Sequence, residues 1–330
     1  MAKKTILSGM RPTGKLHLGH WVGTLSNWVR LQEDYRCFFM VADWHAMMSE
    51  YKDLSRIREY GFDNVCEWLA YGIDPEKSVI FTQSDVPQHL DLLMILSFIT
   101  PLGWLSRCPT FKEQIRQLKD KEINTYSFLG YPVLQAADIT LYKADCVPVG
   151  EDQLPHLELC REIVRRFHFL YNKEVFVEPQ PLLTQVPRLL GLDNRKMSKS
   201  YNNFIALDEE DQSLEAKVLT MITDPARVRK DDPGHPDICN VFSYYAIFKP
   251  ELKDEVYQWC TKAQKGCKDC KKMMVGILKE FVAPRREKKK GFLEKKDYIF
   301  DILKAGADRA RKTAGDTLSQ VKQAMGLGDN

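Results

Sequence analysis

Ser8-Gly9-Met10-Arg11-Pro12-Thr13-Gly14-Lys15-Leu16-His17-Leu18-Gly19-His20 stands directly after an apolar run at residues 5–8 and at the head of an amphipathic stretch at 18–33. Glycine and proline make a tight turn there. The glycines let a ligand approach the backbone at a helix N-terminus, where free N–H groups favour phosphate. Further apolar runs at 37–42, 78–82 and 146–149 read as buried strands, and amphipathic stretches near 55–71 and 87–100 read as helices between them. This alternation predicts an α/β fold: a Rossmann-like, doubly wound parallel sheet over residues 1–193, with ligands at the carboxyl ends of its strands. After residue 193 the strand signal fades, and charged helical patterns at 208–223, 251–263, 270–282 and 297–325 predict an α-helical C-terminal domain over 194–330. No internal repeat interrupts the pattern.

Composition narrows the function classes. With 330 residues, 44% of them hydrophobic, the chain can bury a sizeable core. It contains no run of eighteen apolar residues, and it reaches Gly9 before a signal peptide's apolar region could form. A soluble, cytoplasmic protein without a membrane partner is expected. A net charge of +3 is too small to establish a nucleic-acid partner by itself. Of nine cysteines, Cys37, Cys66, Cys108, Cys146 and Cys160 are scattered as reduced thiols usually are. The other four lie close together in the helical half.

His17 and His20 are three residues apart, so both imidazoles belong to one face of the first helical turn. Alone, such a pair is as well explained by helix capping as by ligand binding. A second polar segment, Asn194-Arg195-Lys196-Met197-Ser198-Lys199-Ser200-Tyr201-Asn202-Asn203, places two lysines in one loop, suited to charge developing on a transferring phosphoryl group. Together HLGH and KMSKS resemble the two signatures of class I aminoacyl-tRNA synthetases. The resemblance implies that His17, Gly19 and His20 contact ATP, and that Lys196 and Lys199 stabilise pyrophosphate as an amino-acid carboxylate attacks the α-phosphate.

The resemblance extends over essentially the whole chain and narrows to tryptophanyl-tRNA synthetases. Val147-Pro148-Val149-Gly150-Glu151-Asp152-Gln153 is similar to a block in which Asp152 would bind the ribose and Gln153 the amino-acid end of the adenylate. Ala42-Asp43-Trp44-His45-Ala46, Phe111-Lys112-Glu113 and Thr223-Asp224-Pro225 also resemble that family. By the same resemblance Arg11, Thr13, Gly150, Met197 and Ser198 join the ATP site. Leu7, His45, Val147 and Val149 join the tryptophan site, and Lys112 joins His17, His20 and the two loop lysines in catalysis.

One further block can be read from its spacing. In Tyr131-Pro132-Val133-Leu134-Gln135-Ala136-Ala137-Asp138, the residues Tyr131, Gln135 and Asp138 fall at i, i+4 and i+7 of a helix and share one side. Asp138 lies among Leu134, Ala136, Ala137 and Ile139, and is costly to bury unless something donates to it. An indole N–H is such a donor; a lysine or a neighbouring helix end is another.

Cys239, Cys260, Cys267 and Cys270 follow C-x20-C-x6-C-x2-C. Grouped thiols of this kind are read as ligands of a 4Fe-4S cluster or of zinc, or as free thiols. The pattern resembles a subset of tryptophanyl-tRNA synthetases that carries the iron–sulfur cluster in the anticodon-binding region. The basic run Arg285-Arg286-Glu287-Lys288-Lys289-Lys290, with Lys295 and Lys296, reads as solvated surface or as contacts to tRNA phosphates. The function so implied is ATP-dependent activation of L-tryptophan and its transfer to tRNA(Trp), with Mg2+ neutralising phosphates and a homodimer as the assembly. A tyrosyl-tRNA synthetase and a non-catalytic RNA-binding protein on the same fold remain the rivals.

Overall fold

A computed structural model of the chain describes residues 3–107, 125–183 and 189–327. Lys112 with its neighbours Phe111 and Glu113, and Cys108, lie outside the described residues. Four strands form where the apolar runs predict them: β1 (Thr5–Met10), β2 (Arg36–Val41), β3 (Ser78–Thr82) and β4 (Cys146–Val149). A fifth, β5 (Gln180–Leu183), was not foreseen. It is a short edge strand containing Pro181, and proline removes a ladder donor, so no strand pattern marks it.

All pairs are parallel, in the order β3-β2-β1-β4-β5. The chain therefore builds outward from β1 to β3 and then returns to lay β4 on the other side of β1. The strand order reverses between β1 and β4, and their carboxyl ends form the crevice where such sheets bind ligands. Alternate residues feed two cores: Ile6, Phe39, Val41 and Ile80 on one face, Leu7, Phe38, Met40 and Phe81 on the other.

The helices on the two faces are α1 (Leu18–His20), α2 (Ser26–Asp34), α3 (Asp43–Glu50), α4 (Ile57–Ala70), α5 (Gln88–Ile99), α6 (Leu102–Arg107), α7 (Tyr126–Leu141) and α8 (Leu154–Tyr171). The stretch expected as one helix at 18–33 is interrupted by a π-helical turn at Trp21–Leu25. Thr125 caps α7 by accepting the Phe128 N–H at 3.3 Å.

Beyond the sheet come α9 (Asp211–Thr220), α10 (Asn240–Phe248), α11 (Lys253–Thr261), α12 (Cys267–Glu294) and α13 (Lys296–Ala324). Val275, Leu278 and Val282 of α12 extend the first core. Ala307, Ala310, Ala314, Leu318 and Val321 of α13 join the second, so the last helix packs back on the sheet. Gly306 makes that approach possible: a Cβ there would lie 1.7 Å from the carbonyl oxygen of Ile80. Among the described residues no helix is long and apolar enough to cross a membrane.

Candidate active site

A cavity of about 330 Å³ opens at the carboxyl ends of β1 and β4. Leu7, His45, Tyr131, Gln135, Asp138, Val147, Val149 and Gln153 all line it, with Arg11 at its edge. The helical spacing of Tyr131, Gln135 and Asp138 thus does aim the three side chains into one space. Met40, Met48, Phe128 and Ile139 add an apolar wall that sequence reasoning did not assign. Phe128 and Ile139 continue the α7 face at spacings of three or four from Tyr131 and Gln135, so the signal for them was present.

Asp138 is 1% exposed, yet its carboxylate is surrounded by donors. His45 Nε2 lies 2.8 Å from Oδ2, His89 Nδ1 2.6 Å from Oδ1, and Gln83 Nε2 donates to both oxygens at 2.9 Å. Burial pushes this carboxyl up, but the facing imidazoles of His89 and His45 outweigh it and hold the group below its ordinary value. Gln83 and His89 are absent from any sequence expectation: they precede and open α5, and nothing in a local pattern aims them at α7. A second missed residue is His156. Its Nε2 is 2.6 Å from the Tyr131 hydroxyl and its Nδ1 3.2 Å from Gln153 Oε1, while Gln153 donates to Asp152 at 2.9 Å. Burial pushes His156 down to about 4, so the imidazole in this relay is uncharged at neutral pH. Gly150 leaves room for the Asp152 side chain, which would lie 2.7 Å from an added Cβ.

The two signature loops meet. Gly19 N–H donates to Met197 Sδ at 3.3 Å, and a Cβ added at Gly14 would lie 3.3 Å from Lys199 Nζ. Gly14 has φ +127°, where a side chain is strained as well as crowded. Leu18 N–H donates to Ile205 O at 3.0 Å and Leu207 N–H to Leu16 O at 3.0 Å, so the segment following the lysines is stitched to the first loop. Asn203, buried and previously unassigned, shapes the lysine loop: it accepts the Ser198 N–H at 2.8 Å and donates to Asp193 and to Lys196 O.

His20 Nδ1 accepts the His17 N–H at 3.1 Å, and the two rings lie 3.8 Å apart. Burial and the nearby Lys199 push His17 down to about 4, and His20 is lowered for the same first reason, so neither ring is charged at neutral pH. Burial, reinforced by Arg11, brings Lys199 down to about 8. Lys196 is exposed. Neutral imidazoles beside the cations of Arg11 and Lys199 suit a polyphosphate at this point.

The four clustered cysteines also come together. Cys239, Cys260, Cys267 and Cys270 line one water-sized cavity of about 30 Å³, with Arg227 and Lys265 beside them. Arg227 reaches Cys267 Sγ at 4.0 Å, and its buried Nε has no hydrogen-bond partner. Among the described residues no three His, Cys, Asp or Glu side chains are gathered as ligands of a metal ion.

The basic run at 285–290 needs correction. Arg286 and Lys289 are buried, at 8% and 2% exposure, because their three-residue spacing puts both on the inner face of α12. Arg286 bonds Asp211, and Lys289 bonds Asp63, Glu67 and Asp208. Only Lys288 and Lys290, with Lys295 and Lys296 beyond, stay exposed for an outside partner.

A parallel sheet whose reversal point holds a ligand cavity, with a histidine loop and a lysine loop in contact at the same end of β1, defines a class I aminoacyl-tRNA synthetase. Residues 2–283 match the family described as tRNA synthetases class I (W and Y). The chain is 50% identical to the tryptophan–tRNA ligase of Thermotoga maritima, covering 98% of this chain and 99% of that one, and 40% identical to that of Ralstonia nicotianae over 99% of both. The tryptophanyl-tRNA synthetase of Campylobacter jejuni, solved with ADP and tryptophan, superposes with a TM-score of 0.88 at 32% identity over 98% of this chain and all of that one. The chain belongs to the tryptophanyl-tRNA synthetases.

Proposed function

We propose a division of labour for the reaction of this tryptophan–tRNA ligase, in which tryptophan and ATP form tryptophanyl-adenylate and the tryptophanyl group then passes to tRNA(Trp). The observation that carries it is the meeting of the two loops beside a cavity whose one deeply buried acid is Asp138. Tryptophan fills the cavity against Leu7, Val147 and Val149, with Asp138 accepting the indole N–H and Gln153 holding the amino-acid end. ATP lies under Arg11, Thr13, Gly19 and the neutral His17 and His20, its ribose on Asp152 behind Gly150. Lys196 and Lys199, on the loop held by Met197 and Ser198, meet the charge that develops on pyrophosphate. Mg2+, held through the ATP phosphates rather than through side chains, would offset part of their negative charge. Lys112 is assigned to the same step.

Amino-acid-dependent exchange of pyrophosphate into ATP tests the reading. Tryptophan should support exchange and tyrosine and phenylalanine should not. Lys199→Ala should lower the rate at least about a hundredfold, about 2.7 kcal/mol, with little change in tryptophan affinity. Near-normal adenylate formation in that variant would remove Lys199 from the reacting centre.

The helical part from residue 194 we assign to anticodon binding, with Lys288, Lys290, Lys295 and Lys296 as phosphate contacts. The four cysteines there are read as holding a 4Fe-4S cluster. Four thiols on one cavity suit its ligands, and Arg227, with its unpaired Nε, and Lys265 suit its negative charge. Such a cluster, held by Cys239, Cys260, Cys267 and Cys270, would tie three chain segments together apart from the adenylate site. Anaerobically purified protein should be brown with about four irons per chain, and Cys267→Ser should bleach it and weaken tRNA charging more than exchange. Colourless protein with one zinc or none would overturn the cluster alone.

A homodimer is supported by an apolar stripe on α5 and just past it: Leu90, Met94, Phe98 and Leu102 recur every four residues and are exposed, Phe98 by 67% and Leu102 by 69%. The eight described cysteines are all free, as a cytoplasmic location would have them.

A further inference from the structure

Behind the cavity, on the side of Asp138 away from it, lies a sealed group of three residues. Gln83 and His89 are each 0% exposed and Tyr142 is 2% exposed. None of them lines the cavity. The Tyr142 hydroxyl is 2.8 Å from His89 Nε2. Burial raises the Tyr142 phenol well above its ordinary value, so it stays protonated and donates to Nε2. That leaves the Nδ1–H of His89 for Asp138 Oδ1, at 2.6 Å. Oδ1 thus takes both His89 and Gln83 from the sealed side, while Oδ2 takes Gln83 and, on the cavity side, His45.

A carboxylate offers about four lone-pair sites; three contacts, one from His89 and two from the single Gln83 Nε2 amide, come from the sealed side, and the fourth, from His45, lies on the cavity side, where an indole N–H would share or displace it. We infer that His89, held by Tyr142, is a positioning residue for amino-acid recognition, fixing Asp138 so that only its Oδ2 edge is presented to the substrate. This rests on the reading of Asp138 as the acceptor of the indole N–H. A carboxyl that took up a proton could itself donate, and a carboxylate free to rotate would not keep an acceptor aimed at the substrate; either would lose its preference for a ring that carries an N–H. The titratable groups that face Asp138 are His45 from α3, His89 from α5 and Tyr142 from the end of α7; Arg11 and Tyr131 line the cavity beyond.

The probe is pyrophosphate exchange with tryptophan against 3-benzothienylalanine, the isostere in which sulfur replaces the indole N–H, measured as kcat/KM from pH 5.5 to 8.5. Wild-type enzyme should prefer tryptophan on the order of a hundredfold with a flat ratio across this range. His89→Phe should cut the ratio about tenfold or more and make it fall further as pH drops, because Asp138 then takes up a proton. His89→Asn, whose amide donates from the Nδ1 position, should restore most of the ratio and its flatness. Tyr142→Phe should show the same pH dependence in weaker form, and decides the matter if His89→Phe does not fold. An unchanged ratio and profile in His89→Phe, or in Tyr142→Phe where that is the folded variant, overturns the inference. If Asp138→Asn meanwhile loses the preference, the Asp138 reading survives that failure; if it does not, the Asp138 reading is what has failed.

Discussion

Two charges are buried in this protein with almost the same exposure, Asp138 at 1% and Lys289 at 2%, and they are surrounded in opposite ways. Asp138 is met by donors from an amide and two imidazoles, and one of its flanks is open to a cavity of about 330 Å³. Lys289 is met by three carboxyl groups, at 2.8 Å from Asp63, 2.7 Å from Glu67 and 2.9 Å from Asp208, and lines neither of the two cavities. Its partners come from α4 and from the segment after the lysine loop, and Asp208 also pairs with Lys15 of the first loop at 3.1 Å. A buried charge enclosed on every side has nothing left to recognise. Its interactions return only stability, and it acts as a joint between α12 and the nucleotide-binding half. A buried charge with one open edge keeps part of its hydrogen-bonding capacity for a ligand, and rejects ligands that leave that edge unpaired.

The largest effect should come from breaking the joint. Lys289→Met leaves Asp63, Asp208 and the Glu67 carboxyl without their shared cation and should lower the unfolding free energy by about 3–5 kcal/mol, read by urea denaturation. The preference for tryptophan over phenylalanine, measured on the protein that remains folded, should not move. A shifted preference would mean that the joint reaches into recognition and that the contrast between the two sites is false.

Asp138→Asn keeps the shape of the recognition site and removes its charge. Its kcat/KM for tryptophan should fall about a hundredfold, about 2.7 kcal/mol, with a smaller loss of stability than Lys289→Met. Were the order of the two stability losses reversed, Asp138 would be the structural charge.

The smallest effect sharpens the comparison through pH. Burial, together with Asp208 and Asp63, pushes Glu67 up to about 8 despite the opposing Lys289, so the folded protein holds a proton that the unfolded chain releases in the ordinary carboxyl range. Stability from this group is therefore present below that range and is lost as pH rises toward about 8. Glu67→Gln mimics the protonated acid: it should leave stability at pH 5 within about 1 kcal/mol of wild type and flatten the fall in Tm between pH 5 and 8, so that the variant becomes the more stable of the two as pH approaches 8. A Tm profile identical to wild type would show that Glu67 is ionised in the joint.

The two sites also differ in how far they could be read from sequence. Asp138 announces itself, because an acid among Leu134, Ala136, Ala137 and Ile139 breaks an apolar helical face. Lys289 sits in a run of basic residues that looks like surface, and only the helix phase, with Arg286 three residues earlier, hints that the two share an inner face. Gln83 and His89 gave no hint at all. Their donors reach Asp138 across 55 and 49 residues of chain, and a local window sees neither the distance nor the direction. The fold shows the same division: β1 to β4 are marked by apolar runs, whereas β5 pairs at the edge through backbone and carries proline.

Sequence by itself determined β1 to β4 and the helices α2, α4 and α5 of the nucleotide half, the glycine turn after β1, the two signature loops and the cavity-facing residues of α7. Each of these is specified by spacing within a few residues, through the periods of strand and helix and the backbone freedom of glycine. Tertiary structure alone decided that Met197 meets Gly19, that Lys199 lies against Gly14, that the four cysteines share a cavity, and that Lys289 is sealed among three acids. Those contacts join parts of the chain that only the packing of the two cores brings together, and the pairing of a buried charge depends on what fills the space around it, which no local pattern encodes.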